Sequence, residues 1–323
     1  MTAAPLSQRR PRSGPRRERA RARTPARGHS PVPGRTPASP AWRVLRALIL
    51  LVCCLLVIVP FASIVSTSLA DAQQVNATGG FVLWPENPSL DAYRAILGGG
   101  IVSRAMLVSV GVTVVGTLLS LVTTALLAYG LSRPGSFGHR PILLLLVLSM
   151  LFVPGVIPSY LLVKELGLIN SYWSLILPML INAFNVIVLR SFFMSIPGEL
   201  LDAAKIDGAS ELTVLTRIVA PLSKAALAVI GLFYAVAYWN SFFNAMLFIN
   251  ESAKWPMQLV LRTYVVNNAA IGAGEANAAG AALPPSYALQ AAILVLSIIP
   301  VVLVYPFLQR HMTKGVMLGA VKG

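Results

Sequence analysis

Apolar residues come in six long runs along this chain, at 44–66, 106–128, 142–162, 173–193, 225–249 and 287–308, with polar stretches between them. Each run has the roughly 20 residues a helix needs to cross a hydrocarbon core. None contains Asp or Glu. The pattern predicts an all-α integral membrane protein with six spanning helices. Pro154, Gly155 and Pro158 interrupt the third run. They predict a broken helix, which a membrane tolerates where protein or a water-filled path surrounds it. That break reads either as a gate hinge or as a packed kink.

The stretch between the fourth and fifth runs, 196–223, has a different character. Asp202, Lys205, Asp207, Glu211 and Arg217 lie within it. Each would cost roughly 2.5–3.5 kcal/mol at mid-bilayer, whereas each Leu, Ile or Val returns only about 0.3–0.6. The charges win, so the stretch is expected outside the hydrocarbon. It still reads as ordered. Pro197 suits a first helical turn, and Glu199 and Asp202 fall early, where the helix dipole favours acids. Gly208 supplies a break, Ser210 an N-cap for a second helix, and Pro221 its end. Leu212, Leu215, Ile218 and Val219 recur at helical spacing as an apolar stripe. By periodicity alone the pair of helices is either a docking element or an amphipathic loop on lipid.

Composition agrees with the spans. Of the 323 residues 56% are hydrophobic and only 11% charged, against about 25% charged in average soluble chains. The net charge of +15 is concentrated at one end: residues 1–46 hold twelve arginines and one acid, Glu18, for +11. Residues 1–43 are rich in Arg, Pro, Ala and Ser without apolar period, and read as a disordered tail. It is either a topology anchor drawn to anionic lipid or a partner-binding arm. No nucleic-acid-binding surface is implied. Ala70-Asp71-Ala72 resembles a signal-peptidase site, but the first apolar run exceeds a signal core of about 7–15 residues, so an uncleaved span is expected. Cys53 and Cys54 are adjacent within an apolar run, and His29, His139 and His311 are scattered, so neither a disulfide nor a metal site is suggested.

Loop charges set the topology. Arginine and lysine concentrate in the N-terminal tail, at Arg133 and Arg140, between Arg190 and Lys224, and from Arg310 to Lys322, while the alternate loops carry mixed charge. The positive-inside rule puts both ends and 196–223 in the cytoplasm. The expected layout is a tail at 1–43, a six-span domain at 44–309 and a cytoplasmic C-terminal tail at 310–323.

With these features in place, DAAKIDGASELTVLTRIVAP resembles the cytoplasmic signature of binding-protein-dependent ABC importer permeases, EAA---G---------I-LP. Asp202, Ala203 and Ala204 stand at the opening triplet, Gly208 at the glycine, and Ile218 and Pro221 at the end. Asp202 replaces the usual Glu, and Ala220 the usual Leu. WPENPSLDAYRAIL, YWNSFF and YPFLQRHMTKGVMLGAVKG resemble the carbohydrate branch, the maltose-type, complex-sugar and oligosaccharide permeases.

The resemblance implies the type I importer permease fold, with 196–223 as a helix-turn-helix coupling loop docked on an ABC ATPase dimer through Asp202, Ala203, Ala204, Asp207, Gly208, Leu215, Ile218 and Pro221. It also implies a second, homologous permease as heterodimer partner, an extracytoplasmic solute-binding protein, and a bacterial plasma membrane around the complex. ATP and Mg would belong to the ATPase. This chain has no G-x-x-x-x-G-K-[ST], the loop that cradles phosphates, and needs no cofactor or enzymatic activity of its own.

Asn182, Asn185, Asn240 and Asn244 are amides inside spans. They read as inter-helix glue or as sugar-hydroxyl ligands along a path, with Tyr238 and Trp239 adding aromatic faces. Tyr93 and Arg94 read as binding-protein contacts or as a surface helix, and Lys314 to Gly323 as an ATPase contact or a free tail. Two other functions remain: a permease of this superfamily for amino acids, peptides or polyamines, and an ion-coupled secondary transporter. The latter expects intramembrane acids, which the spans lack.

Overall fold

The computed structural model describes residues 40–98, 100–133, 135–266 and 284–319, with side chains through 306. All regular structure among the described residues is helical. The N-terminal tail at 1–39 lies outside them, and Pro40–Arg43 already belong to the first helix, α1 (Pro40–Leu69).

After α1 the chain makes two short helices, α2 (Ala72–Ala77) and α3 (Asp91–Gly98). Asp71 caps α2 by accepting from the Gln74 N–H at 2.8 Å. Ser89 Oγ accepts from the Asp91 N–H at 3.0 Å where α3 starts. Tyr93 on α3 is half-buried, its hydroxyl 2.8 Å from Ser68 Oγ, while the exposed Arg94 pairs with Asp91. Next come α4 (Ile101–Ser132), α5 (His139–Leu151) and α6 (Val156–Glu165). The third apolar run is therefore split at 152–155, where Pro154 has no N–H to continue a helix. Phe152 and Val153 there are 74% and 80% exposed.

The fourth run is α7 (Trp173–Ile176), continued by a 3-10 turn to Met179, and then α8 (Ala183–Met194). The two parts meet at 51°. Asn182 makes the break: its side chain caps α8 by accepting from the Asn185 N–H at 3.1 Å. The polar stretch forms α9 (Gly198–Ile206), α10 (Glu211–Val214), a π turn Leu215–Val219, and α11 (Ala220–Leu222). The fifth run is α12 (Lys224–Trp239) and α13 (Phe242–Phe248), interrupted at Asn240 and Ser241. Then follow α14 (Met257–Leu261) and α15 (Ser286–Gly319), the last entering the stretch expected as a C-terminal tail, of which 320–323 lie outside the described residues.

Among the described residues, Pro40–Leu69, Ile101–Ser132 and Ser286–Pro306 are each long and apolar enough to cross a membrane, and there are up to five such spans if each bent pair is one. The bends explain the difference from six uniform runs. Apolar continuity in a sequence records burial in lipid or protein, whereas helix continuity also requires an unbroken ladder of N–H donors.

The larger core forms around α4. Tyr234 and Tyr238, one turn apart on α12, place their hydroxyls 2.7 Å from Thr124 Oγ1 and 2.8 Å from Ser120 Oγ on α4. Leu189, Val186 and Ile230 are fully buried in the same cluster. A second cluster joins α2, α3, the start of α4, α14 and the start of α15 through Val75, Ile96, Met257, Val260 and Ile293.

Candidate functional site

The polar stretch is built from local signals. Helix α9 ends in a Schellman turn: the Ala209 N–H donates to the Ala204 carbonyl at 2.9 Å, and the Gly208 N–H to the Lys205 carbonyl at 3.0 Å. Gly208 sits at φ +79°, the left-handed region that an L side chain enters at a cost. Ser210 then caps α10, its Oγ accepting from the Thr213 N–H at 3.3 Å. Further on, the Ala220 N–H reaches the Leu215 carbonyl, five residues back. Pro221 follows, unable to donate, and the segment Glu211–Leu222 meets α12 at 88°.

The turn sorts the docking candidates into two sets. Asp202, Ala203, Asp207, Gly208 and Pro221 are exposed, together with Ile206 at 86% and Leu212 at 63%. Ala204 and Leu215 are buried, and Ile218 packs half-buried against the same core. The apolar stripe of the second helix thus divides: Leu215, Ile218 and Val219 hold the helix on this chain, and Leu212 points outward.

Four residues beyond that set tie the turn to the bundle. Glu211 accepts a hydrogen bond from the Tyr129 hydroxyl, at the C-terminal end of α4. The same carboxylate pairs with Lys205 of α9 at 2.8 Å. Arg133 donates to the Tyr129 hydroxyl at 2.8 Å and lies over its ring, 4.5 Å from the centroid. The Lys205 and Tyr129 hydrogen bonds hold the Glu211 carboxyl below its ordinary value of 4.5. Tyr129 and Glu211 are 82 positions apart, so no local pattern in the sequence pointed to them. The only signal was an acid beside the Ser210 cap.

The six path candidates separate in the same way. Asn182 and Asn185 line an open cleft of about 410 Å³ with Pro178, Met179, Phe184, Phe233 and Tyr234. The Phe184 and Phe233 rings meet at a tilt on its lining, centroids 6.5 Å apart. The Asn182 N–H donates to the Tyr234 hydroxyl at 3.0 Å, so Tyr234, absent from the sequence candidates, fixes the cleft floor. Tyr238 is not on this cleft. It is 2% exposed, between α4 and α12, and donates to the Ile176 carbonyl at 3.2 Å. Trp239 is buried with its indole N–H unpartnered. Asn240 donates back to the Val236 carbonyl at 2.9 Å, and Asn244 to Met179 Sδ at 3.3 Å. The pair on the fourth run thus borders this cleft, and the other four do not. Among the described residues no cluster of His, Cys, Asp or Glu is arranged to hold a metal.

The described residues thus present an outward apolar tip on a pinned turn and an amide-and-aromatic cleft in an apolar bundle. Comparison with known proteins places the chain in a family. Residues 120–317 match the family described as binding-protein-dependent transport system inner membrane component. The chain is 46% identical over 274 residues to the polygalacturonan/rhamnogalacturonan transport system permease protein YtcP of Bacillus subtilis, covering 85% of this chain and 96% of that one. It is 28% identical over 296 residues to the arabinooligosaccharides transport system permease protein AraQ of the same organism, covering 89% and 99%. A crystal structure of a bacterial ABC transporter involved in the import of the acidic polysaccharide alginate superimposes with a TM-score of 0.79 at 31% identity, over 86% of this chain and 99% of the other. The chain belongs to the family of inner-membrane permease components of binding-protein-dependent ABC importers, a transport subunit with the type I permease fold.

Proposed function

We propose that this chain forms half of the translocation path of an ATP-driven importer of oligosaccharides, those of acidic polysaccharides foremost. A second, homologous permease completes the path. A solute-binding protein delivers the sugar from outside, and an ABC ATPase dimer that binds ATP and Mg docks on the turn at 202–208. Six spans, counting the split third run as one, leave both termini in the cytoplasm of a bacterial cell.

One geometric observation carries the coupling half of this reading. The turn sets Ile206 and Leu212 outward, 86% and 63% exposed, on a segment too charged to rest in hydrocarbon. Such an apolar tip suits a protein partner. The substrate half is supported by the names of the two Bacillus relatives and of the structural neighbour. It is also supported by the cleft, where the Asn182 and Asn185 amides suit sugar hydroxyls and Phe184 and Phe233 suit the ring faces.

ATP binding would close the ATPase dimer, and the docked turn would carry that motion into the spans. The test is uptake in the native bacterium with this chain deleted and then restored. Galacturonate oligomers should lose entry and regain it, with amino acid, peptide and polyamine uptake unchanged. The reverse pattern would overturn the carbohydrate assignment.

A further inference from the structure

The stretch 196–223 continues from α8 at one end and into α12 at the other, and Leu201, Val214, Leu215 and Val219 pack it on the core. Its joint with α12, through Ser223, is a right-angle bend of 88°. Apolar packing is non-directional, so a push on the turn would swivel Glu211–Leu222 about that bend and lose part of its displacement unless a directional bond resists it. The Tyr129–Glu211 hydrogen bond is directional and stands at the other end of the segment.

Both partners are held. Tyr129 is 7% exposed. Its ring meets Phe193 of α8 edge-on with centroids 6.5 Å apart, and its hydroxyl is polarised by Arg133 at 2.8 Å. Arg190 of α8 donates to the Leu131 carbonyl at 2.8 Å, so the ends of α4 and α8 are tied beside it. Glu211 is fixed from the other side by Lys205 at 2.8 Å, which carries α9 into the same assembly. The phenol therefore accepts from a cation and donates to a carboxylate, and charge-assisted bonds of this kind are short and strongly directional.

We propose that Tyr129 and Glu211 form a latch that makes the turn and α4 move as one body, so that the thrust of a docked ATPase enters α4 as well as α12. The proposal rests on the coupling reading above. Helix α4 in turn carries Ser120 and Thr124, which hold Tyr238 and Tyr234, and Tyr234 holds Asn182 at the cleft. The latch thus connects the docking turn to the cleft floor through α4. Tyr129 and Glu211 are positioning residues in this scheme.

The experiment uses the full importer in proteoliposomes, with its binding protein, ATP and a galacturonate oligomer. The reading is sugar imported per ATP hydrolysed, which loss of folded complex does not change because both rates scale with it. Tyr129→Phe should lower that ratio about five-fold or more while ATP hydrolysis continues. Glu211→Ala, an exposed position, should do the same and serves if Tyr129→Phe fails to assemble. Cross-linking from Ala203→Cys to the ATPase should persist in both. An unchanged ratio with the cross-link present overturns the latch alone. Absence of the cross-link with Tyr129 and Glu211 intact overturns the docking reading beneath it.

Discussion

The Tyr238 ring lies directly on Gly116: a Cβ built on Gly116 would stand 2.8 Å from the ring carbons. One turn along α4, Ser120 Oγ holds the Tyr238 hydroxyl at 2.8 Å. The ring is pinned at one end and buried at the other, so it cannot give way. The close approach of α4 and α12 depends on the missing side chain, as at other tightly packed membrane helix pairs.

Gly116→Ala should therefore destabilise the subunit by about 1–3 kcal/mol, the usual cost of overpacking. Tyr238→Phe removes two hydrogen bonds, to Ser120 and to the Ile176 carbonyl, at about 0.6 kcal/mol each. Thermal inactivation of the detergent-purified importer measures both. An unchanged stability in Gly116→Ala would contradict this packing account.

Gly208 makes the opposite demand. A Cβ there would meet nothing within 4 Å, yet φ is +79°. Substitution should cost backbone strain of about 1–2 kcal/mol and no steric clash within this chain. Asn tolerates the left-handed region better than Ala, and Val worst of all. ATP-driven uptake should fall in the order Gly208→Asn, Gly208→Ala, Gly208→Val, and Gly208→Asp should abolish it while the subunit still inserts. Normal uptake by the Asp variant would remove the turn from the docking surface.

Asn182 has two duties that substitution can separate. Its side chain caps α8 and also borders the cleft. Asp keeps the cap, while Ala forfeits about 1 kcal/mol of it. Loss of uptake in both variants, with assembly intact, identifies a path residue. Loss in Asn182→Ala alone identifies a cap.

The Glu211 carboxyl has a pH signature. Its value in the folded protein is lowered from 4.5, chiefly by Lys205 and then by Tyr129. A depressed carboxyl contributes its bonds above the ordinary value and loses them as pH falls through the lowered one. Import per ATP should therefore be flat between pH 6 and 8 as far as Glu211 is concerned. Limited proteolysis at the turn should increase only well below pH 4.5. In Glu211→Gln that acid-induced increase should be absent. A midpoint near neutrality would mean that another group governs the turn.

Six apolar runs, the charges of 196–223 and the Gly208 signature could be read without coordinates, because each follows from composition at fixed local spacing. Hydrocarbon excludes charge wherever it falls, and a left-handed turn asks for Gly within a few residues of the helix it ends. Tertiary structure alone decided which residues on those elements face one another. Leu215 and Leu212 lie three apart on one expected stripe, yet one is buried and the other exposed. Tyr238 lies beside Asn240 and Asn244 in the sequence, yet it serves the packing of α4 rather than the cleft. The bond from Tyr129 to Glu211 crosses 82 positions. Periodicity assigns a residue to a face of its own helix. What covers that face is set by the approach of distant helices, here allowed by Gly116 and fixed by the hydroxyls of Tyr234 and Tyr238.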